Sequence, residues 1–238
     1  MQKIKLLDSL PLNFSNRIYG GSTPKYFHIR FIGKSPSLLR PEIQMDYMIA
    51  NEFICYGLAN LITGINVPEY FLDSYEGNQY FFTRDIDPRP DNEMGLYQPS
   101  EEQLNALGSE GVHLASAFNI WTLNRDAADN RNTLIVNGKL YLVDFGNALL
   151  GVKRGEWKNR FNSYKNNKQD NRDILYGWFK LNPDKFKIAS EIIASIPDNK
   201  INFVLKNALH LKLVNEEEYV GIRDFLVDRK SKLWEVVL

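Results

Sequence analysis

The 238-residue chain holds a single cysteine, Cys55, so an internal disulfide is excluded. Histidine is scarce too. His28, His113 and His210 lie far apart, and no Cys/His spacing of the zinc type occurs. No apolar run approaches the roughly 18 residues that a bilayer span requires. Net charge is absent, with 29 basic against 29 acidic residues. No overall field therefore favours nucleic acid or an anionic membrane as partner, and no basic amphipathic helix is visible that would dock on lipid. Met1–Leu12 carries charges and Pro11 where a secretory leader carries an apolar core. Neither G-x-S-x-G nor G-x-x-x-x-G-K-[ST] is present, which removes the nucleophile-elbow hydrolases and the P-loop enzymes. A soluble, cytoplasmic protein is the expectation.

What is present is a 44% hydrophobic composition, enough to bury a real core. The first third reads as a small mixed sheet. Candidate strands are Ile4–Leu7, Ile18–Ser22 and the aromatic and β-branched run Lys25–Ile32. A helix over about 43–62 follows, stopped by Gly64, and Cys55 within it reads as a packed apolar residue. Residues 67–75 and 79–86 are two strands around a Glu76-Gly77-Asn78 turn. The polar, proline-rich stretch from Asp85 is the expected lobe boundary.

Helices are expected over 100–107, capped by Ser100, and over 110–123. Thr133–Val136 and Leu140–Val143 flank Asn137-Gly138, a strong hairpin signal. The asparagine-rich stretch 159–171 reads as a mobile loop. Helices over about 172–181, 183–195, 200–211 and 216–237 complete the chain, with Asp198 or Asn199, and Asn215, as caps.

Chemistry concentrates in the run W-T-L-N-R-D-A-A-D-N-R-N-T-L-I-V-N-G-K-L-Y-L-V-D-F-G-N-A-L-L from Trp121 to Leu150. Phosphoryl transfer needs a carboxylate beside the attacking hydroxyl and oxygen ligands that hold Mg²⁺ on the nucleotide phosphates. Asp126, in a polar loop after a helix, suits the first role. Asn132, before a strand, and Asp144, ending an apolar strand just before Phe145-Gly146, suit the second. A charge at the end of a buried strand is costly unless paired or metal-bound. Protein kinases place the metal-binding Asn five positions after the catalytic Asp. That position is Arg131 here, so Asn130 and Asn132 both stay open as the ligand.

Gly20, Gly21, Ser22 and Thr23, between two candidate strands, offer backbone N–H groups to phosphates, although a plain β-turn explains them as well. Glu52, on the apolar face of its helix, needs a cation. A kinase supplies a lysine from the preceding strand. Arg30 stands near that register, while Lys34 lies past the expected strand end.

Four segments, Y-G-G-S-T-P-K-Y-F-H-I-R-F, A-N-E-F-I-C-Y-G-L-A, W-T-L-N-R-D-A-A-D-N-R-N-T-L-I-V and L-Y-L-V-D-F-G-N-A, make the chain resemble the HipA-like kinases, in particular their compact small-domain branch. More distantly it is similar to the phosphatidylinositol 3/4-kinases. The resemblance implies an α+β, protein-kinase-like two-lobe fold. A small mixed-sheet N-lobe with one helix (1–86) would sit on a mainly helical C-lobe (87–238).

It further implies an ATP- and Mg²⁺-dependent protein Ser/Thr kinase. Asp126 would be the base, Asn132 and Asp144 the metal ligands, and Gly20–Thr23 the phosphate loop. Glu52 would orient the phosphate-binding cation Arg30, and Arg84, Asp85 and Ile86 would hold the adenine at the hinge. Autophosphorylation, a toxin or translocated-effector role and an antitoxin or regulatory partner are implied as well. An inactive nucleotide-binding regulator, or a small-molecule or lipid kinase, are the alternatives.

Overall fold

The computed structural model describes residues 13–14, 25–27, 31–39, 44–75, 77–86, 99–129, 132–172, 174 and 181–237. The expected strands Ile4–Leu7 and Ile18–Ser22 lie outside them, as do residues 87–98 beside the expected lobe boundary and most of the helix expected over 172–181.

A five-stranded sheet opens the chain: β1 (Asn13–Phe14), β2 (Lys25–Phe27), β3 (Phe31–Lys34), β4 (Tyr70–Tyr75) and β5 (Asn78–Arg84). Its order is β1-β2-β3-β5-β4, and among the described residues every pairing in it is antiparallel, where a mixed sheet was expected. The single strand expected over Lys25–Ile32 contributes instead to two, β2 and β3, with Phe27 opposite Phe31. Alternation along β5 sends Phe81 towards the main core and Tyr80 and Phe82 to the other face. There they pack with Phe31 and Phe71 in a second cluster.

Helix α1 (Met48–Ala59) follows β3, shorter at both ends than expected, and every residue of it except Gly57 is buried. A helix apolar and buried all round is a core element. It lies between the sheet and the helical part.

Beyond the sheet come α2 (Glu101–Ala106), α3 (Ser109–Trp121), a 3-10 turn (Arg125–Asp129) and the hairpin β6 (Thr133–Val136) with β7 (Lys139–Leu142). Ser100 caps α2: its Oγ accepts from Gln103 N, and Gln103 Oε1 accepts from Ser100 N. Asn137 and Gly138 turn the hairpin with φ of 51° and 70°, the type I′ combination that Asn-Gly favours.

The stretch expected as a loop over 159–171 is instead α4 (Trp157–Asn166) and α5 (Lys168–Arg172). Trp157, Phe161 and Tyr164, at i, i+4 and i+7, form a buried stripe that outweighs the surrounding asparagines. The helices α6 (Pro183–Ala194), α7 (Asp198–His210) and α8 (Glu216–Lys232) close the fold. Asn215 and Glu218 form the capping box of α8, whereas Pro197 rather than Asp198 precedes α7.

Two long-range devices tie this part together. Trp121 Nε1 donates to Leu226 O at 3.0 Å, joining α3 to α8. Arg229, 3% exposed, donates to the carbonyls of Ile120 and Tyr164 at 2.9–3.1 Å and to Asn171 Oδ1. One guanidinium thus satisfies orphan carbonyls at the C-terminal ends of both α3 and α4. Cys55 is fully buried in the core.

Candidate active site

Lys34 is the last residue of β3, and its ammonium reaches Glu52 Oε1 at 2.8 Å and Asp144 Oδ1 at 3.1 Å. This is the cation that Glu52 requires. Arg30, which the strand register favoured, lies outside the described residues. Burial alone would lower the Lys34 pKa, but the charges of Asp144 and Glu52 outweigh it and hold the lysine protonated well above its usual range.

Glu52, fully buried on α1, uses both oxygens: Oε1 accepts from Lys34, and Oε2 accepts from Phe145 N at 3.1 Å. Burial pushes its carboxyl up to about 7, against the pull of Lys34. Asp144 presents a side chain 46% exposed from a left-handed backbone, φ 59°. Partial burial would raise its pKa, but Lys34 more than offsets this and holds it below the ordinary carboxylate range.

Asn132 stands at the entry to the hairpin whose exit carries Asp144. Its Nδ2 donates to Asp144 O at 3.0 Å, and its own carbonyl accepts from Val143 N at 3.0 Å. One N–H of the amide is committed to the backbone, and Oδ1 keeps lone pairs that can ligate a cation. The extra residue between Asp126 and this asparagine does not keep it from Asp144. Asn130 lies outside the described residues. Asp126 sits exposed in the 3-10 turn, and its Oδ1 accepts from Asn147 Nδ2 at 3.2 Å. Asn147 follows Asp144 by three residues, so the Asp126 turn is fastened to the Asp144 loop.

The two loops are braced in strained conformations. Leu123, Asp144 and Leu149 all have positive φ, at 54°, 59° and 21°. Such residues persist only where their surroundings over-determine them. Leu149 N donates to Thr122 O at 2.8 Å, and Arg160 donates to Leu123 O and Asn147 O at 2.7 and 2.9 Å.

Phe145 packs edge-on against Tyr56 and Phe118, with ring centroids 5.6 and 5.7 Å away, and Tyr56 meets Tyr70 and Phe81 at 5.0 Å. An aromatic column therefore runs from the sheet through α1 and the Asp144 loop to α3. Each such contact adds about 0.5–1.5 kcal/mol beyond burial.

Among the other residues singled out by sequence, Arg84 ends β5 with an exposed guanidinium 3.8 Å from Glu69, and Asp85 and Ile86 follow it half-buried. Gly20, Gly21, Ser22 and Thr23 lie outside the described residues. Sequence reasoning missed Lys34, Asn51 and Arg160. For Lys34 the signal was there in Ser35-Pro36, a turn pair that stops the strand directly after it. Among the described residues no helix is long and apolar enough to cross a membrane, and no cluster of three His, Cys, Asp or Glu could hold a metal ion.

No protein-family model matches the chain, and no curated protein matches it by sequence. Among solved structures it is similar to the Helicobacter pylori proinflammatory kinase CtkA. The TM-score is 0.60 at 14% identity, over 94% of this chain and 93% of that one. It also aligns with HipA from the Shewanella oneidensis MR-1 toxin–antitoxin complex of HipA, HipB and operator DNA. There the TM-score is 0.40 at 10% identity, over 98% of this chain and 67% of that one, too loose a match to weigh further. At such identities likeness speaks to fold. The chain has the α+β, kinase-like fold that resemblance to the HipA-like kinases implies.

Proposed function

We propose that this chain is an ATP- and Mg²⁺-dependent kinase that transfers the γ-phosphoryl group to a Ser or Thr hydroxyl of a protein, itself included. The observation that carries the reading is the Lys34–Glu52–Asp144 cluster, a strand lysine fixed by a helix glutamate beside the Asp of D-F-G. Kinase chemistry asks for this combination, since the lysine contacts nucleotide phosphates and the Asp holds metal.

The donor set fits Mg²⁺: Asp144 supplies a partly exposed carboxylate and Asn132 an amide oxygen. When bound, the ion would neutralise charge developing on the transferred group. Asp126 would orient the attacking hydroxyl and take its proton, with Asn147 steadying one of its oxygens. Gly20–Thr23 would cover the phosphates. Because the Arg84 side chain faces Glu69, adenine contacts at the hinge would fall to the chain at Asp85 and Ile86.

Against the alternative of an inactive regulator, Lys34 stands beside Glu52 where a kinase has its strand lysine, which supports activity. A toxin or effector role, and any antitoxin partner, follow only from family resemblance.

The test is incubation with γ-labelled ATP and Mg²⁺, comparing wild type with Asp126→Ala and Asp144→Ala. Label on the protein or an added substrate should vanish in both variants. Equal labelling of all three would overturn the assigned roles, and ATP-dependent thermal stabilisation without any transfer would favour the regulator.

A further inference from the structure

The segment after Asp144 is held to α1 and the residues just before it at several points. Glu52 accepts from Phe145 N, and one residue earlier Asn51 takes over. Fully buried, Asn51 donates from Nδ2 to Gly146 O at 2.8 Å and Gly151 O at 3.0 Å, and its Oδ1 accepts from Leu150 N at 3.1 Å. Both donors and the acceptor of the amide are thus spent on one loop.

At the start of α1 the pattern continues. Asp46 N donates to Val152 O at 2.8 Å, and Asp46 Oδ2 accepts from Arg154 N at 3.0 Å. Tyr47 Oη accepts from Gly155 N at 3.2 Å while donating to Glu218 at 2.6 Å. The stretch from Phe145 to Trp157, F-G-N-A-L-L-G-V-K-R-G-E-W, contains no Ser, Thr or Tyr. No hydroxyl of its own is there to carry a phosphate that would order it.

We infer that Asn51 is a positioning residue that locks the Asp144-Phe145-Gly146 loop to α1, so that the helix glutamate and the metal-binding aspartate are set together without phosphorylation of the loop. This rests on the kinase reading above and deepens it. A displacement of α1 would carry the loop with it through the bonds of Asn51 and Glu52, while straining the Lys34–Glu52 pair.

The test uses the full chain. In wild type without nucleotide, the amides of Phe145 and Leu150 should exchange hydrogen as slowly as those in the middle of α3. Exchange at the rate of an unstructured segment would overturn the lock without any variant being needed. Asn51→Asp keeps the shape but turns lone pairs towards two carbonyls.

This variant should speed exchange across 145–151 and raise the Mg²⁺ concentration needed for half-maximal transfer by about tenfold, as losses of outer-shell partners do. Gly57→Ala, on the same helix, forces a Cβ to 2.7 Å from Val204 Cγ1. It should lower stability while leaving the Mg²⁺ midpoint and the exchange of 145–151 unchanged. If Asn51→Asp shifts neither readout, or if Gly57→Ala shifts both equally, Asn51 is merely structural. A wild type with protected loop amides that neither binds nor uses ATP would defeat the kinase reading instead.

Discussion

Lys34, largely shielded from solvent, and Arg229, fully buried, stand in surroundings that differ in kind. Lys34 lies between two carboxylates, Glu52 and Asp144. Arg229 meets no carboxylate among the described residues. Its partners are the carbonyls of Ile120 and Tyr164 and the amide oxygen of Asn171. The electrostatic consequences run in opposite directions. Burial would depress both, but at Lys34 the two carboxylates reverse the effect, whereas Arg229 is pulled down to about 9. Arg229 caps helix ends in a closed core, its donors turned to backbone carbonyls and an amide oxygen. The second carboxylate at Lys34, that of Asp144, is half open to solvent, so that cluster faces outward where the Arg229 cluster does not. Burial of charge alone does not mark a functional site; the exposure of one member does.

The largest effect that would sharpen this contrast comes from Lys34→Met. It strands Glu52 in the core, where removing one partner of a buried pair costs about 3–5 kcal/mol. Adding Glu52→Leu should recover much of that stability in a urea titration, while phosphoryl transfer stays absent. Recovery of both would make the pair purely structural.

Arg229→Met should cost about 1–3 kcal/mol for the carbonyls it leaves unpaired, with transfer per folded molecule unchanged. A loss of transfer at retained stability would break the comparison from the other side.

A smaller effect separates the two by pH. The Glu52 carboxyl, raised from 4.5 to about 7 in the fold, binds more protons folded than unfolded across that interval. Its contribution is therefore complete below 4.5 and is lost as the pH rises to 7. Wild type should lose stability relative to Glu52→Gln over this window, and Arg229→Met should show the same slope as wild type. A slope of opposite sign would mean that Lys34 keeps Glu52 ionised throughout.

Most of the fold could be read before the structure because local signals agreed with the global arrangement. Asn137-Gly138 sits between alternating strands, Asn215 stands three residues before Glu218, and Ser100 precedes Gln103; each states its own turn or cap. The readings that failed did so for physical reasons. Asparagine propensity hid α4 and α5, whose existence depends on three aromatic side chains finding the core. In Lys25–Ile32 a β-rich composition could not say where one strand ended and the next began; Arg30, the cation preferred there, lies outside the described residues.

At the site, Asp126, Asn132, Glu52 and Asp144 were legible as types and spacings. That Asn132 and Lys34 both meet Asp144 is a product of tertiary pairing. Asn51 was illegible altogether. In a helix buried on nearly every side, periodicity cannot distinguish a polar residue with three backbone partners from one facing water.

The measurement that bears most directly on the account is transfer from γ-labelled ATP by Lys34→Met and Arg30→Met, each checked for folding by its thermal transition. Labelling should fall about a hundredfold or more with Lys34→Met, in line with loss of a preorganised charge at developing negative charge, and persist with Arg30→Met. Full labelling by folded Lys34→Met, with loss in Arg30→Met, would contradict it.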